Sequence, residues 1–453
     1  MVYQLNRRQF LRTSTAIGAG LYVSGKALGA DAKHKDVINV ALLGAGAQGQ
    51  VLMDAILKKM DPGIRFVAVC DIWEAGNLRK VSRRLKSWEK IGHKGTPYTD
   101  YREMLDTEKD LDAVIVATPD FWHSEHTVAC LEKGLHVYCE KEMSNTLEGA
   151  RKMVEARNAS GKLLQIGHQR RSNPRYRHCY DKLIQDAGLI GRITTINGQW
   201  NRSKASCEDR ALSEKETPID EATLNKYGFK NMHQFLNWRW FKGLGGGPIV
   251  DLGSHQIDIY SWFLGCNPKS VIASGGVDYW TGHEWYDTVM AVYEYETAAG
   301  PVRAFYQTGT TNSSRGYFES FMGDQGTLTI SEDPKVGGVY REGWILEEQW
   351  DQWVQGGYVL KPKGAPVFKG DDDAEAVLDP RATVPPDLYT LPVTMNVPYH
   401  QPHLMNFFNT IRGTETLNCP AEIGYESAVS VLRVNEAVAQ NRRLEFKPED
   451  FHI

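Results

Sequence analysis

Val37-Ile38-Asn39-Val40-Ala41-Leu42-Leu43 runs directly into Gly44-Ala45-Gly46-Ala47-Gln48-Gly49. An apolar run that ends in GxGxxG and opens a helical stretch is the strand–turn–helix fingerprint of a dinucleotide site. Gly44 permits the tight turn, Gly46 lets the backbone approach a pyrophosphate, and Gly49 lets helix and strand pack closely. The first turn of the new helix, at Ala47 and Gln48, offers free N–H groups to phosphate oxygens. The next apolar strand, ending in Val69-Cys70, delivers Asp71, 25 residues beyond Gly46. A carboxylate there accepts the ribose hydroxyls of NAD and repels the extra phosphate of NADP, so NAD is the expected cofactor.

Outward from this motif, residues 36–170 alternate strand and helix patterns. Leu111–Ala117 is an almost wholly apolar run, as in a buried parallel strand. Thr118-Pro119-Asp120 is a turn, and Phe121–Lys133 is an amphipathic helix stopped by Gly134. Leu135–Cys139 and Leu163–Gly167 are short strands on either side of a helix over Asn145–Asn158. The repeat predicts a right-handed, doubly wound parallel sheet, with ligands at the carboxyl ends of its strands. After residue 190 the pattern changes. Ile193–Trp200, Ser270–Tyr279, Thr288–Glu296, Val302–Gly309, Phe318–Met322 and Gly326–Ser331 read as strands separated by turns. The expected fold is therefore α/β: a Rossmann domain over 36–170, then an α+β domain over 171–453 with a large, mostly antiparallel sheet. Residues 332–398 look like a long excursion of loops. Gln401–Arg412 and Ala421–Asn441 return to helix, and helices over 400–441 are expected to pack back near the first domain.

The chain has 453 residues, 42% of them hydrophobic and 24% charged, with a net charge of −4. That balance is ordinary for a globular protein and gives no case for nucleic acid as a partner. Seven scattered cysteines without a CxxC make a disulfide framework or a thiolate metal site unexpected. Asn6-Arg7-Arg8-Gln9-Phe10-Leu11-Arg12 has the pattern of a twin-arginine export signal, so residues 1–30 are set apart, with cleavage expected near Ala27–Ala30. Lys26 and the small residues that follow argue against a membrane span in this segment. The expected location is the periplasm, with the Tat translocase as a transient partner.

Four local patterns carry candidate chemistry. Glu140-Lys141-Glu142 follows a strand end, where a lysine could bond a substrate hydroxyl; alone, the same triplet reads as a solvated charge cluster. Asp251 and His255 stand four apart, so a helix would place them on one face. A carboxylate beside an imidazole fixes its tautomer and raises its basicity; a capping Asp and a satisfied core His is the bland alternative. No third metal ligand is evident nearby, so no metal is expected. Gly167-His168-Gln169-Arg170-Arg171 leaves the last parallel strand, and His168, Arg170 and Arg171 are candidates for holding substrate. Asn237-Trp238-Arg239-Trp240-Phe241-Lys242, with Trp200, Trp280 and Trp285, could form a sugar platform of aromatic faces and fixed guanidinium donors.

Taken together, these motifs resemble the Gfo/Idh/MocA oxidoreductases, the family of glucose–fructose oxidoreductase and inositol dehydrogenase. The resemblance runs through nearly all of residues 36–445. It implies a Rossmann domain beside an open-faced sheet through which subunits pair as dimers or tetramers. It implies bound NAD(P), held by Gly44, Gly46, Ala47, Gln48, Gly49, Asp71, Thr118, Pro119, His123, Glu140, Lys141 and Gln169. It also implies a catalytic Lys141, Asp251 and His255, with His168, Arg170, Arg171, Trp238, Arg239, Trp240 and His255 facing substrate. The family usually has proline after the lysine. Here Glu142 stands in that place, which removes a rigid constraint beside Lys141.

The expected function is an exported, NAD-dependent oxidation of a secondary hydroxyl on a sugar or glycoside. A periplasm without an NAD pool favours a tightly held, internally recycled cofactor. The alternatives are an NAD-dependent glycosidase that oxidises, eliminates, adds water and re-reduces, with His168, Tyr317 or another tyrosine as the extra base, and a non-catalytic sugar-binding protein.

Overall fold

The computed structural model describes residues 36–361 and 387–453. The export signal therefore lies outside the described residues. Among those described, no helix is long and apolar enough to cross a membrane.

Six parallel strands form the first sheet: β1 (Ile38–Leu43), β2 (Ile64–Cys70), β3 (Thr96–Tyr98), β4 (Ala113–Val116), β5 (His136–Cys139) and β6 (Leu164–Ile166). Their order is β3-β2-β1-β4-β5-β6. β1, β2 and β4 are apolar nearly throughout because helices cover both faces. The order reverses between β1 and β4, so a crevice opens at the carboxyl ends of these two strands.

Nine strands form the second sheet: β7 (Ile193–Asn201), β8 (Ser270–Gly276), β9 (Thr288–Thr297), β10 (Gly300–Gly309), β11 (Tyr317–Gly323), β12 (Gly326–Ile330), β13 (Gly337–Arg341), β14 (Asp387–Tyr389) and β15 (Leu444–Glu445). The order is β14-β13-β12-β11-β7-β10-β9-β8-β15. All neighbours are antiparallel except β7 and β10. The helix Gly247–Leu264 packs across one face. The other face is open, with Ile272 51% and Met290 48% exposed. Residues 332–398, expected as loops, instead contribute β13, the helix Glu347–Gln355 and β14. Trp350 is buried there against Tyr389, their rings 4.9 Å apart, and both join the main core beneath the second sheet.

The two returning helices join the lobes. Gln401–Ile411 lays Leu404, Phe407 and Phe408 into the core of the first sheet. Ala421–Gln440 packs against the helices Leu147–Ser160 and Gly247–Leu264. By packing, then, Gln401–Ile411 belongs with the Rossmann sheet although it lies about 240 residues beyond β6.

Candidate active site

Two adjoining cavities meet at Gln48, Glu140, Lys141, Arg210, Leu236 and Arg239. The first follows the glycine-rich turn. Gly44 has φ +96°, and a Cβ there would lie 2.6 Å from the Ala117 carbonyl. A Cβ on Gly49 would lie 1.9 Å from Gly44 O, so helix and turn could not close on any larger residue. At Gly46 a Cβ would meet only Asn77, at 3.9 Å, which leaves the backbone open on the cavity side. The helix Ala47–Lys59 begins with no side-chain cap and no acidic residue in its first turn. Open backbone, an uncapped helix start and no competing carboxylate fit a dinucleotide pyrophosphate. Asp71 also lines this cavity, as do Thr118 and Pro119. Its carboxylate accepts from Ala45 N and Trp73 N, each at 2.8 Å, so it braces the turn while its remaining lone pairs face the cavity. Burial pushes its pKa up to about 6.

An apolar strap closes this cavity. Residues 212–244 build a separate core against Ile72, Trp73, Phe121 and Trp122 of the Rossmann lobe. Trp73 Nε1 donates to Thr217 O at 2.8 Å, Trp122 Nε1 to Tyr227 O at 3.1 Å, and Tyr227 Oη to Thr99 O at 3.2 Å. Tyr227, Phe229, Phe235 and Trp238 from the strap line the cavity itself.

Lys141 stands where the cavities join. Its Nζ donates to Asp251 O at 2.5 Å and to Asp251 Oδ1 at 3.2 Å, and Arg239 Nε approaches the same Oδ1 at 3.4 Å. Burial alone would raise the Asp251 pKa, but Lys141, Arg239 and Arg202 more than offset it and hold the carboxyl well below its ordinary range. The expected Asp251–His255 couple does not form. Asp251 is committed to Lys141 and Arg239, while His255 Nδ1 has no hydrogen-bond partner among the described residues. Burial, with Lys141 and Arg170 nearby, drives the His255 pKa well down, so the ring is neutral at pH 7. Its neighbour is Trp200, with ring centroids 5.3 Å apart.

Glu142, at the position where the family usually has proline, turns inward. It is buried, Oε1 accepts from its own Met143 N at 2.7 Å, and its backbone oxygen lies 2.7 Å from His123 Nδ1. The Lys141–Glu142 peptide is cis. Burial raises the Glu142 pKa to about 8.

The second cavity, of about 460 Å³, is lined by Trp200, Arg202, Arg239, Trp240, His255, Tyr317 and others, within the usual size range of a small-ligand site. Several predicted residues sit elsewhere. Arg171 is locked to Asp258 through Nε at 2.9 Å and Nη2 at 2.8 Å, and lines neither cavity. Arg170 is buried between Glu319 and Glu332, with its guanidinium 5.4 Å from the Trp200 ring, and it lines neither cavity. His168 is 1% exposed behind the wall, with both ring nitrogens unpartnered among the described residues. Trp238 lines the first cavity, and Gln169 the second, where its Nε2 donates to Glu332 at 3.2 Å. His123 lines the first cavity, with Nε2 2.7 Å from Thr118 O and Nδ1 2.7 Å from Glu142 O; burial lowers its pKa to about 4, so the neutral ring donates to one of the two carbonyls. Trp280 and Trp285 bond Thr310 and Gly245 outside both cavities. The sequence reading missed Asp120, whose pKa burial lifts to about 7, and His400, whose Nε2 lies 3.0 Å from Gln48 Nε2. No local motif marks His400; it reaches the site only because the helix after it docks on the Rossmann lobe.

A Rossmann lobe with an open glycine turn, joined to a sheet domain at a buried lysine, is the arrangement of a dinucleotide-binding fold. Residues 38–168 match the model of the oxidoreductase family with NAD-binding Rossmann fold, and residues 221–329 match the GFO/IDH/MocA C-terminal domain. The chain belongs to the Gfo/Idh/MocA family. Among relatives, the scyllo-inositol 2-dehydrogenase (NADP+) of Bacillus subtilis is 27% identical over 53% of this chain and 55% of its own length. The inositol 2-dehydrogenase of Rubrobacter xylanophilus is 24% identical over 72% of this chain and 81% of its own. The chain thus spans about half the length of the first of these curated relatives. Levoglucosan dehydrogenase in complex with NADH shares the fold, with a TM-score of 0.64 at 17% identity over 90% of this chain and 99% of that one.

Proposed function

We propose that the chain oxidises a secondary hydroxyl of a sugar or glycoside, with NAD in the first cavity and the carbohydrate in the second. The observation that carries this reading is Lys141, fixed by Asp251 at the junction of the cavities and facing the neutral ring of His255. When bound, the nicotinamide supplies the hydride acceptor. Gly46 and the start of the helix Ala47–Lys59 would hold its pyrophosphate, and Asp71 a ribose. Lys141 donates a hydrogen bond to the substrate oxygen and orients it. His255 takes the hydroxyl proton as the carbonyl forms, which its neutral state allows at pH 7. Trp200 and Tyr317, stacked on each other with ring centroids 4.6 Å apart, would offer the sugar's C–H patches the aromatic surface left open on that pair. Asp71 favours NAD over NADP, although one relative is named for NADP+.

The strap supports a cofactor that stays bound between turnovers, as an exported enzyme requires. The twin-arginine motif supports the periplasm as the place of work. The oxidation–elimination alternative needs a base beside the α-carbon; His168 is walled off, and burial holds the Tyr317 hydroxyl up at about 12. Simple hydride transfer is therefore the better reading. The open face of the second sheet, with Ile272 and Met290 exposed, supports pairing with a second copy.

The experiment is to denature the purified protein, identify any released nucleotide, and follow absorbance at 340 nm with a sugar panel. Bound NAD reduced on sugar addition supports the proposal. Protein without nucleotide that also fails to bind added NAD ends it.

A further inference from the structure

The cations of the second cavity are unequally paired. Lys141, Arg202, Arg210 and Arg239 all line it. Lys141 and Arg239 share Asp251, and Arg210 bonds Glu216 at 2.8 Å. Arg202 has no carboxylate within ion-pair distance and no side-chain hydrogen bond among the described residues. Its guanidinium lies 5.4 Å from the centroid of the Trp200 ring, within cation–π range.

None of the acids nearby lies within ion-pair distance of it among the described residues. Glu332 pairs with Arg170 and accepts from Gln169, Glu140 accepts from Gln48 and from the Lys141 backbone, and Glu208 lies 3.9 Å from Lys204. Asp251 is drawn down by Lys141, Arg239 and Arg202 together. Four carboxylates and four cations line the cavity, so its charge balances overall, and what singles out Arg202 is the lack of a bonded carboxylate of its own in a partly enclosed site. Arg202 lines the second cavity and not the first, so it is placed for the carbohydrate and not for the dinucleotide phosphates. The His255 ring and the Arg202 guanidinium lie 5.3 and 5.4 Å from the centroid of the Trp200 ring, so the base and the guanidinium flank the same side chain.

We propose that the substrate is an acidic sugar, a hexuronic acid or its glycoside, whose carboxylate is bound by Arg202. This rests on the oxidoreductase reading above and names its substrate class. A planar carboxylate matches the two parallel donors of one guanidinium.

The test is calorimetric titration of the nucleotide-loaded protein with D-glucuronate and D-galacturonate, their neutral parents D-glucose and D-galactose, and D-glucose 6-phosphate. A uronate should bind roughly 10- to 100-fold more tightly than its parent, the range of one charge-assisted contact. Arg202→Gln should remove that preference without changing the nucleotide content, and Arg202→Lys should restore part of it. Neutral sugars binding as well as uronates, the phosphate binding better than either, or an undiminished preference in Arg202→Gln would overturn the assignment while leaving the sugar reading intact. If no member of the panel binds, both readings fall.

Discussion

Leu224 offers a way to open the cofactor strap without touching the cofactor cavity. It sits on the short helix Glu221–Lys226, 1% exposed, in the core shared with Trp73, and it does not line either cavity. Truncating a buried leucine to alanine costs about 2–5 kcal/mol. This cluster is small and edged by half-buried residues that can relax, so the lower part of that range, about 2–3 kcal/mol, applies. If the strap must lift for nucleotide to leave, Leu224→Ala should multiply the open population, and with it the dissociation rate, roughly 30- to 150-fold. The assay is exchange of bound nucleotide against an excess of a labelled one, followed by rapid gel filtration. Leu328→Ala is the control, since Leu328 is buried in β12 of the second sheet and belongs to another core. It should lower stability comparably and leave exchange alone. A Leu224→Ala protein that is folded, measurably destabilised and exchanges nucleotide within twofold of the parent rate would refute the strap argument.

Lys141→Ala should reduce kcat/KM about 10²- to 10⁴-fold while bound nucleotide is retained, because its Nζ contacts belong to Asp251; nucleotide analysis beside steady-state kinetics checks both halves. Glu142 has a folded-state pKa of about 8 against an ordinary 4.5, so the folded chain binds this proton more tightly than the unfolded one. Its contribution therefore weakens the fold progressively as pH rises from about 4.5 through about 8, and not below. Glu142→Gln should raise the thermal midpoint relative to the parent at pH 8–9 and leave the difference small at pH 4.5, as measured by calorimetry across that range. Ile272→Glu with Met290→Glu places charges on the exposed sheet face and should lower the mass in light scattering to that of one chain, since neither residue belongs to a buried core.

The sequence by itself determined the Rossmann lobe and the glycine turn, because each is a short-range pattern, and it nominated Asp71 and the catalytic candidates. A run such as Ala113–Val116 can be satisfied only in a sheet covered on both faces, and Gly44 and Gly49 by contacts within a few residues or the next strand. It also located most strands of the second sheet through turn spacing. What it could not determine was which polar side chains would be used up by one another. Arg171 and Asp258 are 87 positions apart, and only the packing of the helix Gly247–Leu264 brings them together. The same holds for Lys141 and Asp251, 110 positions apart, whose pairing leaves His255 without its expected carboxylate. Arg170 and Arg171 are candidates by motif, while no motif marks Arg202. Tertiary structure buries the first two in ion pairs and leaves the third facing the cavity, because a charge's partner is set by distance in space and not by distance along the chain.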